Sequence, residues 1–251
     1  MTFKDYFSKQ AKEYAKFRPT YPPEIFEFLA RTAPVRRLAW DCATGSGQAA
    51  QGLSAHFDHV VATDASGEQI LHAEKNPGVT YQVASAEDSG LPAHEFDLVA
   101  AATAAHWFDL DRFYAEAKRV LKPGGILAIW SYGASEDVSQ PAIAEVLKRY
   151  SKEIVGPYFA PELHKLWNGY SNLKFPFEEI ETPEFFIRVE WNLEQVMGYL
   201  LSWSATQSYV EAQGSDPREL IRADLENAWG PPENRITRAW KIDMRVGRFS
   251  G

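Results

Sequence analysis

A single cysteine, Cys42, occurs in 251 residues, so no internal disulfide can form and the core must hold the fold. No eighteen apolar residues run together, so no membrane-spanning helix is expected. The opening Met1 to Phe7 has no uninterrupted apolar segment of the signal-peptide kind, and a cytoplasmic location is the expectation. Basic residues are also short: 26 Lys and Arg stand against 34 Asp and Glu, a net charge of −8. That balance argues against a duplex nucleic acid as partner, because phosphate binding needs a clustered basic face. The spacing of His56 and His59 is loosely metal-like, but no Cys or Glu cluster accompanies it, and no metal is expected. Repeats and low-complexity tracts are missing as well.

What is present divides into three stretches. The first reads as a helix over 3–17, a proline-rich break from Arg18 to Pro23, and a second helix over 24–32. From Leu38 short apolar runs alternate with helical stretches, which predicts parallel strands joined by crossovers. These strands fall at 37–41, 60–64, 80–84, 96–101 and 126–131, and a tight turn at Lys122-Pro-Gly-Gly125 precedes the fifth. Their continuous rather than alternating hydrophobicity suits a sheet covered on both faces. The last stretch predicts helices over 140–154, 161–170, 193–213 and 217–229, with a strand within 177–184 and another over 236–246. Arg238 interrupts the apolar face of that last strand, which suggests a sheet edge. One domain over 1–251 is expected: a helical lid (1–36), a cofactor core (37–131), cap helices and sheet edge (132–235) and a final strand (236–251).

The chemistry concentrates in Asp41-Cys-Ala-Thr-Gly-Ser-Gly47 and in Asp64, which ends the next apolar run. Gly45 and Gly47 permit positive φ and let a ligand touch the main chain. Asp64 lies 64 − 47 = 17 residues beyond Gly47, where an acid can accept both hydroxyls of an adenosine ribose. The spacing Gly45-x-Gly47-x-x-Ala50 also fits a nicotinamide or flavin turn. Asp41 weighs against that reading, since a pyrophosphate would be repelled where a sulfonium and an ammonium would be attracted. Two unit charges ~4 Å apart at an effective dielectric of ~20 interact by about 4 kcal/mol.

At these residues the chain resembles the class I S-adenosylmethionine-dependent methyltransferases, over roughly Leu38 to Ser131. Asp41–Gly47 resembles their first motif, Val61-Ala-Thr-Asp64-Ala-Ser66 their ribose strand, and Val83-Ala-Ser-Ala-Glu87 their adenine-edge segment. Phe96-Asp97-Leu-Val and Arg119-Val-Leu-Lys-Pro-Gly-Gly125 continue the pattern. Tyr14-Ala-Lys-Phe-Arg18-Pro-Thr-Tyr21-Pro22, Ala104-Ala-His106-Trp107 and Trp203-Ser-Ala-Thr-Gln-Ser-Tyr209 are similar to the trans-aconitate-methyltransferase-like small-molecule group. The resemblance implies an α/β, Rossmann-like, doubly wound and mostly parallel seven-stranded sheet, with an antiparallel last strand and a helical cap. It implies S-adenosylmethionine as cofactor, S-adenosylhomocysteine as product, and a small-molecule acceptor, with a carboxylate or other oxygen as the candidate methylated group. Implied cofactor residues are Tyr14, Arg18, Asp41, Ala43, Thr44, Gly45, Gly47, Asp64, Ala65, Gln69, Ser85, Ala86, Glu87, Ala101 and His106.

Each residue also has a plainer reading. Asp41 and Asp64 can cap the helices that follow them. His106 can serve as a general base or simply line the pocket. Arg18 suits a carboxylate through its forked donors. Tyr21, Trp107, Trp203 and Tyr209 are candidate substrate-pocket residues, with core packing as their competitor. Ala43 replaces a customary glycine and favours negative φ. Ser85 stands where an adenine-binding Asp is usual, and Ala101-Ala-Thr-Ala104 replaces the motif of base-nitrogen methylation. A non-catalytic cofactor- or partner-binding module and a NAD-dependent oxidoreductase remain the alternatives.

Overall fold

The computed structural model describes residues 17–133, 140–166 and 169–251. The helix expected over 3–17 therefore lies outside the described residues, apart from Phe17. Helix α1 (Pro23–Thr32) opens with its proline in the first turn, where the missing N–H costs nothing, and buries Ile25, Phe26 and Leu29. The alternating core follows as β1 (Leu38–Cys42), α2 (Gln48–Ser54), β2 (His59–Asp64), α3 (Gly67–His72), β3 (Val79–Val83), β4 (Phe96–Ala102), α4 (Leu110–Val120) and β5 (Leu121–Tyr132). Strands β1 to β5 pair in parallel. The turn expected at 122–125 is absorbed into β5 as an irregularity, where the register shifts between Phe96 and Leu98. Gly124, at φ 82, supplies the bend.

The sheet has eight strands in the order β3-β2-β1-β4-β5-β8-β6, with β7 also on β8. It thus has one strand more than the seven expected. β6 (Glu178–Ile180) and β7 (Phe185–Trp191) occupy successive stretches beside β8 (Ile236–Arg248), all antiparallel to it. β8 is also antiparallel to β5, from Ile242 to Arg248. Arg238 sits in the half of β8 that pairs with β7 alone, yet it is buried, its guanidinium carbon 5.5 Å from the centre of the Trp240 ring. The arginine marks a two-stranded extension at the sheet edge; β8 is flanked by a strand on both sides at Ile242 and from Val246 to Arg248.

Both faces of the sheet are covered. Leu98, Ala100, Ala128 and Trp130 point into one core while Val99, Ala101, Leu127 and Ile129 point into the other, all fully buried. This is why the runs read as continuous rather than alternating. Cys42 is buried and free, a small hydrophobe at a strand end.

The cap is built from α5 (Pro141–Arg149), α6 (Leu193–Leu201), α7 (Ser204–Gln213) and α8 (Arg222–Trp229). The single long helix expected over 193–213 is broken at Ser202 and Trp203. There Thr206 Oγ1 and Gln207 Nε2 donate to the carbonyls of Leu200 and Leu201, each at 2.7 Å. Side chains from the second helix thus satisfy the end of the first, and Trp203 is extended.

Candidate functional site

The order of strands reverses between β1 and β4, and ligands of open α/β sheets sit beyond the C-terminal strand ends at such a point. β1 delivers Asp41 there with no solvent exposure. Thr44 Oγ1 donates to Asp41 Oδ2 at 2.5 Å, while Asp41 Oδ1 is buried without a hydrogen-bond partner among the described residues. Burial pushes the Asp41 carboxyl up to about 7; the Thr44 hydroxyl and the Ala50 backbone N–H oppose this and the Asp64 charge adds to it.

The backbone then turns through Ala43 at φ 54, Gly45 at 56 and Gly47 at 91. Ala43 therefore takes the left-handed conformation its side chain disfavours, at a cost of about 1–2 kcal/mol. The Thr44 N–H to Thr63 carbonyl bond at 2.9 Å helps hold it. Gly45 N–H donates to Asp64 Oδ2 at 2.9 Å and Ser66 N–H to Oδ1 at 2.8 Å, so Asp64 both closes β2 and fixes the turn. A methyl group added at Gly45 would meet nothing within 4 Å, so its main chain faces open space. At Gly47 the same group would collide with the Tyr81 hydroxyl.

Other anticipated residues surround this turn. Ala65 is exposed, and Gln69 is buried with its N–H on Ser66 Oγ at the start of α3. Ser85 Oγ accepts the Asp88 N–H at 3.1 Å, Ala86 is buried, and Ala101 lies fully buried in β4. Glu87 Oε1 accepts the N–H of Asp109, the residue that caps α4, at 3.0 Å. It is thus engaged with a helix start. Val83, the first residue of the segment expected at the adenine edge, pairs with Asp64 and is 60% exposed, an apolar surface beside the acid.

A second group gathers at the ends of β4 and β5. Thr103 stands at φ 53, its N–H on the Trp130 carbonyl at 2.7 Å and its hydroxyl 2.9 Å from the Tyr21 hydroxyl. The Tyr21 ring meets Trp130 edge-on at 5.6 Å and Tyr132 at 6.3 Å. Arg18 donates to the Tyr132 hydroxyl and the Ser202 carbonyl, each at 3.3 Å, with its guanidinium carbon 5.8 Å from the centre of the Tyr199 ring. Burial raises the Tyr199 phenol well above its ordinary range.

His106, only 2% exposed, turns Nδ1 to the Tyr170 hydroxyl at 3.1 Å and packs on Trp107. Trp203 packs among Tyr150, Phe159 and Tyr199, whereas Tyr209 pairs with Tyr158. Trp203 precedes α7 and Tyr209 lies within it, and the two rings join different aromatic groups. Tyr14 lies outside the described residues. A cleft of about 590 Å³ between Phe17, Met197, Leu201 and Arg218 belongs to the cap and includes none of the turn residues.

Residues 40–129 match the family described as a methyltransferase domain. A methyltransferase of Dictyostelium discoideum is 34% identical over 229 residues, covering 90% of this chain and 87% of that protein. This chain belongs to the S-adenosylmethionine-dependent methyltransferases. A solved structure described as a type II methyltransferase, from Anaeromyxobacter dehalogenans, is 41% identical with a TM-score of 0.84, covering 92% of this chain and 98% of that one. An S-adenosylmethionine-dependent methyltransferase of Saccharomyces cerevisiae is 25% identical, covering 83% of each chain.

The methyltransferase brings Asp41, Gly45 and Asp64 together as the sequence anticipated. Sequence reasoning missed Thr103, Trp130, Tyr132 and Tyr199. Thr103 carried no signal, because nothing in a run of alanines announces a left-handed threonine.

Proposed function

We propose that this methyltransferase holds S-adenosylmethionine across Asp41, Gly45 and Asp64 and methylates an oxygen, such as a carboxylate, on a small molecule. The Oδ1 of Asp41, buried and without a hydrogen-bond partner among the described residues, beside the open main chain of Gly45 carries the reading. An orphaned buried acceptor is costly unless a ligand donates to it. The ammonium and sulfonium of this cofactor suit an ionised Asp41, whereas a pyrophosphate does not. Asp64 accepts a backbone N–H on each oxygen, and a carboxylate, with about four acceptor sites, suits the two hydroxyls of a ribose.

Bound there, the cofactor supplies a methyl group on a sulfonium sulfur, a neutral leaving group once the methyl departs. The chain's own task is then alignment and exclusion of water. Support for an oxygen acceptor comes from the donors at the ends of β4 and β5. Arg18 and the hydroxyls of Tyr21, Thr103 and Tyr132 stand among aromatic rings there. A carboxylate has no proton to lose, so it needs no base, which fits His106 being turned to Tyr170. His106 then lines the pocket. Arg18 and Tyr21 also tie the first stretch of chain to the strand ends, in keeping with 1–36 acting as a lid.

Calorimetric titration with S-adenosylhomocysteine and, separately, NAD tests the cofactor: only the first should saturate. Methyl transfer from labelled cofactor to a panel of small carboxylic acids, phenols and amines tests the acceptor. Transfer to amines alone would end the oxygen assignment.

A further inference from the structure

Trp130, near the C-terminal end of β5, has no solvent exposure, and its Nε1 is buried without a hydrogen-bond partner among the described residues. A buried indole N–H ordinarily finds a partner, because leaving such a donor unmet is costly. The residue is firmly placed. Its carbonyl accepts the Thr103 N–H at 2.7 Å, it pairs with Ala102 and Met244 on the flanking strands, and the Tyr21 ring meets it edge-on at 5.6 Å.

The strand register relates this donor to Asp41. Asp41 pairs with Ala100, and Ala100 with Ala128, two residues before Trp130. Paired residues share a face of the sheet, as do residues two apart on one strand, so Asp41 and Trp130 project from the same face. Two strand spacings of ~4.8 Å and two residues of ~3.3 Å put their backbones about 12 Å apart. Between them the sheet offers only the methyl groups of Ala100, Ala102 and Ala128. An acceptor suited to a cation and a donor suited to an oxygen thus stand at the two ends of an alanine floor.

We propose that Trp130 is the specificity-determining donor for the methyl acceptor, its Nε1–H bonded to one oxygen of a substrate carboxylate. The proposal rests on the oxygen-acceptor reading above. A carboxylate has two oxygens, so one accepts the indole proton while the other keeps its lone pairs for the methyl group. An ammonium has no lone pair to offer, and a neutral amine would spend its only one on the indole. The donor therefore discriminates by chemical class, and it brings no positive charge beside the sulfonium. Because Trp130 is fully buried, the acceptor reaches it as the Tyr21 ring, in the segment ahead of α1, moves aside.

The test is NMR on protein carrying isotope-labelled tryptophan, in complex with S-adenosylhomocysteine, titrated with benzoate, phenylacetate and fumarate. Trp130→Phe identifies the Trp130 indole signal among the eight tryptophans. At least one of the carboxylates should bind and move that proton downfield, as a new bond to a charged acceptor does. Benzylammonium should leave it in place. Trp130→Phe keeps an aromatic ring in the core, so its affinity for S-adenosylhomocysteine should stay within about twofold while carboxylate binding weakens about tenfold. Should that variant melt too low to use, triple-resonance assignment of the parent signal lets the titration decide alone. A Trp130 signal unmoved by all three carboxylates, or moved equally by benzylammonium, overturns the proposal. So does a variant that binds carboxylate as tightly as the parent. Carboxylates methylated at the parent rate by Trp130→Phe would remove the indole donor and leave the oxygen reading standing. Transfer to amines alone would end that reading, and a parent that fails to bind S-adenosylhomocysteine would end the cofactor site beneath both.

Discussion

Two fully buried aspartates on neighbouring strands have opposite fates. Asp97, near the start of β4, accepts from the N–H groups of Arg37 and Leu38 at 3.0 and 2.9 Å and pairs with Lys122 at 2.8 Å. Asp41, at the far end of β1, has the Thr44 hydroxyl on one oxygen and, among the described residues, no hydrogen-bond partner on the other. A buried charge with every acceptor engaged is architecture. One left half engaged raises the free energy of the empty protein, and a cation of matching shape can recover that cost. The same residue type thus stitches strands together at one end of the sheet and leaves a buried oxygen without a hydrogen-bond partner, among the described residues, at the other.

Breaking the stitched end should have the largest effect on folding. Asp97→Ala leaves Lys122 without its partner and two backbone donors unmet, and should lower stability by about 3 kcal/mol. Denaturant unfolding measures it, and the folded fraction should still bind S-adenosylhomocysteine. A loss under ~1 kcal/mol would remove the contrast.

At the other end, Asp41→Asn keeps the shape and an oxygen for Thr44. Cofactor affinity should fall about 10- to 100-fold, about 1.4–2.8 kcal/mol, with no loss of folding stability at neutral pH. Titration calorimetry and thermal melts on one preparation separate these. A variant that loses stability and keeps affinity would make Asp41 another Asp97.

The Asp41 carboxyl, raised to about 7 in the folded chain, holds a proton between roughly pH 4 and 7 that the unfolded chain has released. Its contribution to stability is therefore present below about pH 4 and lost as pH rises through 7. Cofactor binding favours the ionised form, so affinity should climb with pH and level off above 7. Calorimetry at pH 6 in buffers of different ionisation heat should detect close to one proton released. No buffer dependence would mean that Asp41 is already charged.

The smallest effect is local. Ala43→Gly relieves the left-handed strain but loosens the unfolded chain, leaving a net gain of about 0.5–1 kcal/mol with cofactor affinity unchanged. A destabilised variant would show that the Ala43 methyl packs usefully.

Much of this was legible in order. Parallel strands announce themselves because burial on both faces makes their runs apolar throughout; β1 to β4 start within one residue of expectation, and β5 starts earlier because it absorbs the glycine turn. Asp41, Gly45 and Asp64 were visible since a turn between a buried strand and a helix needs small residues. The cap was harder to read. Its helix break at Trp203 depends on Thr206 and Gln207 reaching back to carbonyls, and β7 exists only because β8 is long enough to receive it.

Sequence by itself determined the alternating α/β order, the glycine turn after β1 and its two acids, because each follows from neighbours a few residues apart. Tertiary structure alone decided which buried acid is satisfied, and that Thr103 meets Tyr21 across 82 residues. Hydrogen-bond satisfaction and backbone strain are properties of groups brought together by folding, and no local pattern records them.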